Sequence, residues 1–157
     1  MVANIHSCGI VGIKGQPVLC QCDLSGGLPQ FDIVGLPDAS VKEARDRVRA
    51  AVKNCGFNFP QRRITVNLAP GDLKKEGPVY DLPMLVGLLC ASGQLPPPPA
   101  DAGFLGELTL EGRLQPASGV LPMAMAAREA GLTALFVPAE NAAEASVCQG
   151  LTVYPVR

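Results

Sequence analysis

Alternating apolar and polar positions along the chain predict several half-buried strands. From Arg62 to Leu68, the apolar residues Ile64, Val66 and Leu68 alternate with polar ones, which is typical of a strand with one buried face. Similar patterns predict further strands over residues 5–13, 17–24, 30–36, 104–110, 112–116, 134–137 and 151–156. We expect the first two to be joined by a turn at Lys14–Gln16, and residues 104–116 to form a hairpin around Glu111–Gly112.

Helix start and stop signals appear between these strands, with two-faced periodicity in the first segment and an apolar run in the second. They predict helices over residues 37–54, 81–92, 120–130 and 139–148, with Asp81 as the N-cap of the second. Strands and helices alternate throughout the second half, so the class is α/β (α+β), with helices packed on a mixed sheet. We expect residues 1–157 to form a single domain.

The helix over residues 37–54 is two-faced, with Val41, Val48 and Val52 on its apolar side. Basic residues occupy an arc of roughly 80° beside that side. They are either a solvated surface supported by acids such as Glu43 and Asp46, or a ridge that faces nucleic-acid phosphates. The spacing alone favours the solvated surface.

Net charge is −1, so any contact with nucleic acid requires a local basic surface. Aromatic residues make up only 4% of the chain, which favours contact with duplex phosphates over stacking on exposed bases. Candidates for such contact cluster on this helix and on two loops, at residues 62–63 and 74–75. We expect the second of these loops to be solvated. The candidates are Lys42, Arg45, Arg49, Lys53, Arg62, Arg63, Lys74 and Lys75.

Known catalytic and metal-binding patterns are missing from the sequence. It contains no G-x-x-x-x-G-K-[ST] phosphate loop, no G-x-S-x-G nucleophile elbow and only one histidine, His6. We therefore expect no catalytic residue, no metal site and no cofactor site within these 157 residues. Six cysteines without a C-x-x-C pair, and no apolar run of ~18 residues, favour a cytoplasmic protein with reduced thiols and no membrane contact.

Several motifs in order give the chain a family resemblance. Ile33-Val34-Gly35-Leu36-Pro37-Asp38, Arg45-Asp46-Arg47-Val48, Arg63 to Pro70, Lys75-Glu76-Gly77 and Asp81-Leu82-Pro83 resemble the N-terminal domain of magnesium-chelatase-like AAA+ ATPases of the ComM/YifB type. The resemblance implies a bacterial cytoplasmic protein with an ATPase module beyond Arg157 that binds ATP and Mg²⁺. It also implies hexameric assembly and ATP-driven branch migration of DNA during natural transformation.

The same segment resembles the proteolytic domain of Lon and the C-terminal domain of RadA, which share a fold first described in the second domain of a small-subunit ribosomal protein. In Lon, Lys-Asp-Gly-Pro-Ser-Ala-Gly carries the nucleophile, and the corresponding stretch Lys75 to Asp81 places Val79 at that position. Leu121 takes the position of Lon's catalytic lysine. A Ser-Lys mechanism needs a hydroxyl and an amine, which these two side chains do not supply.

Three functions remain open from the sequence. The favoured one is a non-catalytic N-terminal module that supports hexamer assembly, DNA engagement or both. The second is a Lon-like ATP-dependent protease domain, which would need Ser118 or a cysteine as nucleophile and Lys74 or Lys75 as base. The third is a protein-docking or oligomerisation module that does not bind nucleic acid.

Overall fold

The computed structural model describes residues 2–157, which build one mixed sheet and a small hairpin. Its strands are β1 (Val2–Val11), β2 (Lys14–Ser25), β3 (Gln30–Val34), β4 (Arg63–Ala69), β5 (Ala102–Phe104), β6 (Glu107–Leu108), β7 (Leu114–Gln115), β8 (Ala134–Pro138) and β9 (Thr152–Val156). Within residues 2–157 the main sheet has seven strands in the order β3-β4-β2-β1-β5-β8-β9. The β1/β2 and β2/β4 pairs are antiparallel, and the other neighbours are parallel. Strands β6 and β7 form the hairpin.

Helices cover both faces of this sheet. They are α1 (Ala39–Lys42), α2 (Ala44–Asn54), α3 (Asp81–Ala91), α4 (Val120–Glu129) and α5 (Ala142–Ala145), with 3-10 turns at Pro78–Tyr80 and Ala139–Asn141. One apolar core joins α1, α2 and α3 to β1–β4, and a second joins α4 and α5 to β1 and β8. The mixed α/β class predicted from the sequence is confirmed.

The helix predicted over residues 37–54 is two helices. Asp38 caps α1, because its Oδ1 accepts a hydrogen bond of 2.8 Å from the Val41 N–H. Glu43 separates the two helices but keeps helical dihedrals, and Val41 of α1 and Ala44 of α2 are both 0% exposed. As a consequence Lys42 is not part of the helix that carries Arg45, Arg49 and Lys53.

Two other sequence-based boundaries are wrong. The first hairpin turns at residues 12–13 rather than 14–16, since Val11 pairs with Lys14. Gly15 lies inside β2, where a Cβ would sit 2.2 Å from the Pro122 carbonyl oxygen, so the glycine serves close packing of α4. The strand predicted over residues 104–110 divides at Leu105, which leaves β5 in the main sheet and β6 in the hairpin.

Candidate functional site

A groove of about 520 Å³ lies between the β1–β2 turn, the loop before α3 and the start of α4. We call it the groove; Ile10, Ile13, Val79, Pro122 and Met123 form most of its apolar lining. Glu76 and Glu107 also line it, as does the exposed Ser118. Val79, at the position that corresponds to Lon's nucleophile, thus lies on the wall of a real cavity.

The loop that carries Val79 is held by the segment before α1. The Lys75 N–H donates to the Leu36 carbonyl oxygen, and the Asp38 N–H donates to the Lys75 carbonyl oxygen, both at 2.9 Å. The Asp38 carboxylate, which caps α1, also accepts a longer bond of 3.4 Å from the Gly77 N–H. Two sequence motifs, Leu36-Pro37-Asp38 and Lys75-Glu76-Gly77, are therefore neighbours in space.

This pairing buries Lys75, contrary to the solvated loop predicted from the sequence. Its side chain is only 1% exposed, and its Nζ donates to the Pro70 carbonyl oxygen. Burial lowers the pKa of the Lys75 ammonium, and the charge of Asp72 opposes that shift. Lys75 therefore cannot contact DNA, because its ammonium does not reach the surface. Lys74 remains exposed, with its Nζ 3.8 Å from Glu76 Oε1.

A lysine whose pKa is lowered by folding makes stability depend on pH. The unfolded chain binds more protons here as pH approaches the ordinary lysine range, so the folded state gains stability as pH rises. We expect the free energy of unfolding of the wild type, relative to Lys75→Met, to increase between ~pH 7 and ~pH 10 in urea titrations. A flat difference across this range would contradict the lowered pKa of Lys75.

The two positions that correspond to the Lon dyad do not line one cavity. Val79 lines the groove, whereas Leu121 borders a neighbouring hollow of about 350 Å³. The hollow and the groove share Ile13 and Pro122. The Leu121 N–H donates to Glu144 Oε2 at 3.1 Å, which fixes the start of α4 against α5.

The replacement nucleophiles considered from the sequence are not poised for attack. Among residues 2–157, no hydrogen bond joins Ser118 to Lys74 or Lys75. Burial raises the pKa of the Cys8 thiol to about 12, and the hydrogen bond with Cys22 together with burial raises the pKa of the Cys20 thiol. Cys55 is exposed, but its Sγ lies 3.9 Å from the Glu111 carbonyl oxygen, outside the groove lining. This geometry gives the protease hypothesis no nucleophile–base pair.

A buried ion pair lies next to the groove-lining residue Glu107. Asp81 is fully buried, and its carboxylate accepts two bonds from Arg47 of α2, at 2.5 and 3.1 Å. Its Oδ2 also accepts from the Leu108 N–H at 3.0 Å, next to Glu107. The prediction that Asp81 caps α3 is wrong, because its side chain makes no cap bond and α3 begins at Asp81 itself.

Burial and hydrogen bonding shift the pKa values of both members of this ion pair. Burial raises the pKa of the Asp81 carboxyl, while the hydrogen bond from Arg47 and the bond from the Leu108 N–H oppose the shift. The hydrogen bond with Asp81 raises the pKa of the Arg47 guanidinium. Arg47 and Asp81 are each other's hydrogen-bonded partners, and the contacts of Asp81 tie α2, α3 and β6 together.

Three of the predicted basic residues meet at one place. Arg49, Lys53 and Arg62 surround a cleft of about 110 Å³ beside Phe59, and we call them the basic cluster. The Arg49 guanidinium lies 5.1 Å from the Phe59 ring centre, and one of its nitrogens is 3.8 Å from Asp46 Oδ1. Arg63 follows Arg62 directly and is exposed at the start of β4.

The other exposed candidates do not line that cleft. Lys42 lies on α1 and Arg45 at the start of α2, where the Arg45 Nε donates to the Lys42 carbonyl oxygen at 3.1 Å. Lys74 belongs to the loop near the groove. In the part of the chain that the structure describes, no group of three His, Cys, Asp or Glu residues can hold a metal ion. Residues 2–157 also contain no helix long and apolar enough to cross a membrane.

Comparison with known proteins gives the family. The family described as "Subunit ChlI of Mg-chelatase" matches residues 20–141. An uncharacterized protein YifB of Salmonella typhimurium is 46% identical over 144 residues, which cover 91% of this chain and 28% of that protein. Competence protein ComM of Haemophilus influenzae is 42% identical over 159 residues, covering 98% of this chain and 30% of the relative.

A more distant similarity extends to a protease. Lon protease of Mycolicibacterium smegmatis is 31% identical over 160 residues, which cover 94% of this chain and 20% of that protein. The chain thus spans less than a third of the curated relatives it matches. Since the family match covers most of its residues, and relatives named ComM and YifB match nearly all of them, the chain belongs to the magnesium-chelatase ChlI-like family.

Proposed function

We propose that this chain is the non-catalytic N-terminal domain of a cytoplasmic, ATP-driven DNA motor that acts in competence or recombination. The observation that carries the proposal is Val79 on the groove wall, where a peptidase of this fold would need a hydroxyl. The relative named "Competence protein ComM" supports a role connected with competence. Hexameric assembly and branch migration of DNA are part of the same proposal.

ATP and Mg²⁺ would be bound outside these residues. The sequence has no phosphate loop, and the charged side chains that line the groove are the carboxylates Glu76 and Glu107, which repel a triphosphate. The groove lining therefore does not fit the nucleotide. The domain's own contribution would be to hold DNA or neighbouring subunits while the ATPase module works.

The basic cluster is the surface that best suits DNA. Arg49, Lys53 and Arg62 project beside one cleft, and the only acid among its immediate neighbours on α2 within the described residues is Asp46. Guanidinium and ammonium groups bind phosphate without reading sequence, so the contact would be non-specific and sensitive to salt. Arg63, Arg45 and Lys42 would extend the same contact along α1, α2 and β4.

The test is a triple variant, Arg49→Gln/Lys53→Gln/Arg62→Gln, in the full-length protein. We expect its affinity for duplex DNA to fall by at least about tenfold, and the slope of log K against log salt to decrease by roughly 2–3. Fluorescence anisotropy with a labelled duplex at several salt concentrations measures both quantities.

The control removes the same charge elsewhere. Lys14→Gln/Arg113→Gln/Arg128→Gln replaces three basic residues outside the cleft and should leave the slope nearly unchanged. Equal losses of DNA affinity in the two triple variants would mean that binding depends only on the net charge of the protein. Unchanged binding in the first variant would reject the basic cluster as a DNA contact.

A further inference from the structure

The groove combines an apolar lining with negative charge. Among the described residues that line it, the ionisable ones are Glu76 and Glu107, and no Lys, Arg or His is present. Its volume of about 520 Å³ is within the usual range of roughly 300–1,000 Å³ for ligand-binding pockets. A site of this kind favours an apolar partner that carries a positive charge.

The apolar surface continues beyond the groove. Ile13 at the β1–β2 turn is 89% exposed, and it borders both the groove and the hollow beside α4. The hollow is lined by Leu121, Pro122 and Met125, and Met125 is itself 43% exposed. We call Ile13, Val79, Leu121, Pro122 and Met125 the Ile13 surface. Ile13 and Met125 are exposed and the other three are half-buried, and apolar side chains that adjoin one another at a surface mark interaction sites more often than isolated ones.

The Ile13 surface offers a physical reason for apolar side chains at the two positions that correspond to the Lon dyad. Val79 and Leu121 lie on its two sides, one in the groove and one in the hollow, with Ile13 and Pro122 common to both. Apolar side chains at both positions make the surface continuous. Serine and lysine would instead place a hydroxyl and a charge in the region that a partner would cover.

We propose that the Ile13 surface and the groove bind an extended segment of a partner protein whose apolar side chains alternate with Lys or Arg. Apolar side chains enter the groove and the hollow, while the basic ones pair with Glu76 and Glu107. Glu76 is available for this, because its side chain is 63% exposed and its contact with the similarly exposed Lys74 is long, at 3.8 Å. The hollow also contains Glu129 and Lys14 at its rim, so the net charge facing the segment stays negative.

The experiment uses three short labelled peptides and the purified full-length protein. One peptide alternates Leu with Lys, the second alternates Leu with Glu, and the third alternates Ser with Lys. Anisotropy titrations should show binding of the Leu/Lys peptide, with affinity at least about tenfold lower for each of the other two. Equal binding of the Leu/Glu peptide, or no binding of the Leu/Lys peptide, overturns the proposal.

Matched variants locate the binding. Ile13→Asp should weaken the Leu/Lys peptide about tenfold or more, because an exposed anchor that becomes buried in the complex is lost. Leu28→Asp is the control, since Leu28 is 86% exposed in the turn at the opposite end of β2 and should leave affinity unchanged. Glu76→Gln/Glu107→Gln should reduce both affinity and salt dependence. Unaltered affinity in Ile13→Asp would also overturn the proposal.

Two further measurements separate this inference from DNA binding and from self-association. The triple variant of the basic cluster should bind the Leu/Lys peptide as the wild type does, and Ile13→Asp should bind duplex DNA as the wild type does. Loss of duplex DNA binding in Ile13→Asp would assign the surface to nucleic acid and contradict the peptide proposal. Self-association that Ile13→Asp abolishes, without peptide binding, would assign it to a second copy of the chain and likewise contradict the proposal.

Discussion

Replacing Asp81 with asparagine will lower the free energy of unfolding by about 3 kcal/mol, near the lower end of the ~3–5 kcal/mol range for breaking a buried ion pair. The substitution leaves the Arg47 guanidinium without its counter-charge, and the Arg47 side chain is only 19% exposed. That residual exposure lets some water reach Arg47, which is why we expect the smaller value. Thermal unfolding should shift down by roughly 6–12 °C.

The control for this prediction is an exposed pair of the same chemistry. Asp46→Asn removes a carboxylate that is 86% exposed and 3.8 Å from Arg49, so it should change stability by less than ~0.5 kcal/mol. The double variant Arg47→Met/Asp81→Leu removes both charges and should be less destabilised than Asp81→Asn alone. A double variant that is as unstable as the sum of its single substitutions would contradict the ion-pair explanation.

The same pair affects the groove. Asp81 holds the Leu108 N–H, and the Gly106 N–H donates to the Val79 carbonyl oxygen at 2.8 Å. Glu107 lies between these two contacts, so loss of Asp81 should also displace Glu107 relative to Val79. We therefore expect Asp81→Asn to weaken the Leu/Lys peptide at temperatures where the variant is still folded.

Replacing Gly35 with alanine will destabilise the fold by about 2–5 kcal/mol, through two separate costs. Gly35 has φ of +103°, a conformation that costs a residue with a Cβ roughly 1–3 kcal/mol. A Cβ would also sit 2.2 Å from the Leu68 carbonyl oxygen of β4, and that backbone has no flexible end that can move away. Urea unfolding at a single pH measures the total.

Gly27→Ala separates the two costs. Gly27 has a comparable φ of +119°, but no atom lies within 4 Å of the position that an alanine methyl would take, so only the dihedral cost applies. We expect Gly27→Ala to lower the free energy of unfolding by about 1–3 kcal/mol, and Gly35→Ala to lower it clearly more. Equal losses would show that the contact with Leu68 relaxes at little cost. The comparison matters for the site, because Leu36, next to Gly35, accepts the bond that holds Lys75.

Element types were predictable from local patterns, whereas some boundaries were not. The alternation in β4, the apolar run of α3 and the glycine stop after α4 are local properties, and the structure contains all three elements. The division at Leu105 was missed because tertiary contacts decide it, since β5 pairs with β1 and β8, which are distant in sequence. The break at Glu43 is slight, because Glu43 keeps helical dihedrals and Val41 stays buried on the predicted apolar side.

Part of the candidate site was likewise predictable from the sequence, and part was not. Val79 and Leu121 were identified from motif correspondence, and the structure adds that they line adjoining cavities. The role of Asp81 was missed, since its position before Leu82-Pro83 suits a helix cap and nothing local indicates Arg47 as its partner. The available signal was that Arg47 lies outside the arc of the other basic residues on its helix.

By itself, the sequence determined the α/β class, the family resemblance and the absence of the Ser-Lys side chains, since residue identity and local periodicity suffice for each. Only the tertiary structure decided which charges are buried. Lys74 and Lys75 are the same residue type in one loop, yet the crossing of residues 36–38 removes one from water and leaves the other exposed. Burial depends on which distant segments meet, and that information is carried by the packing of the whole chain.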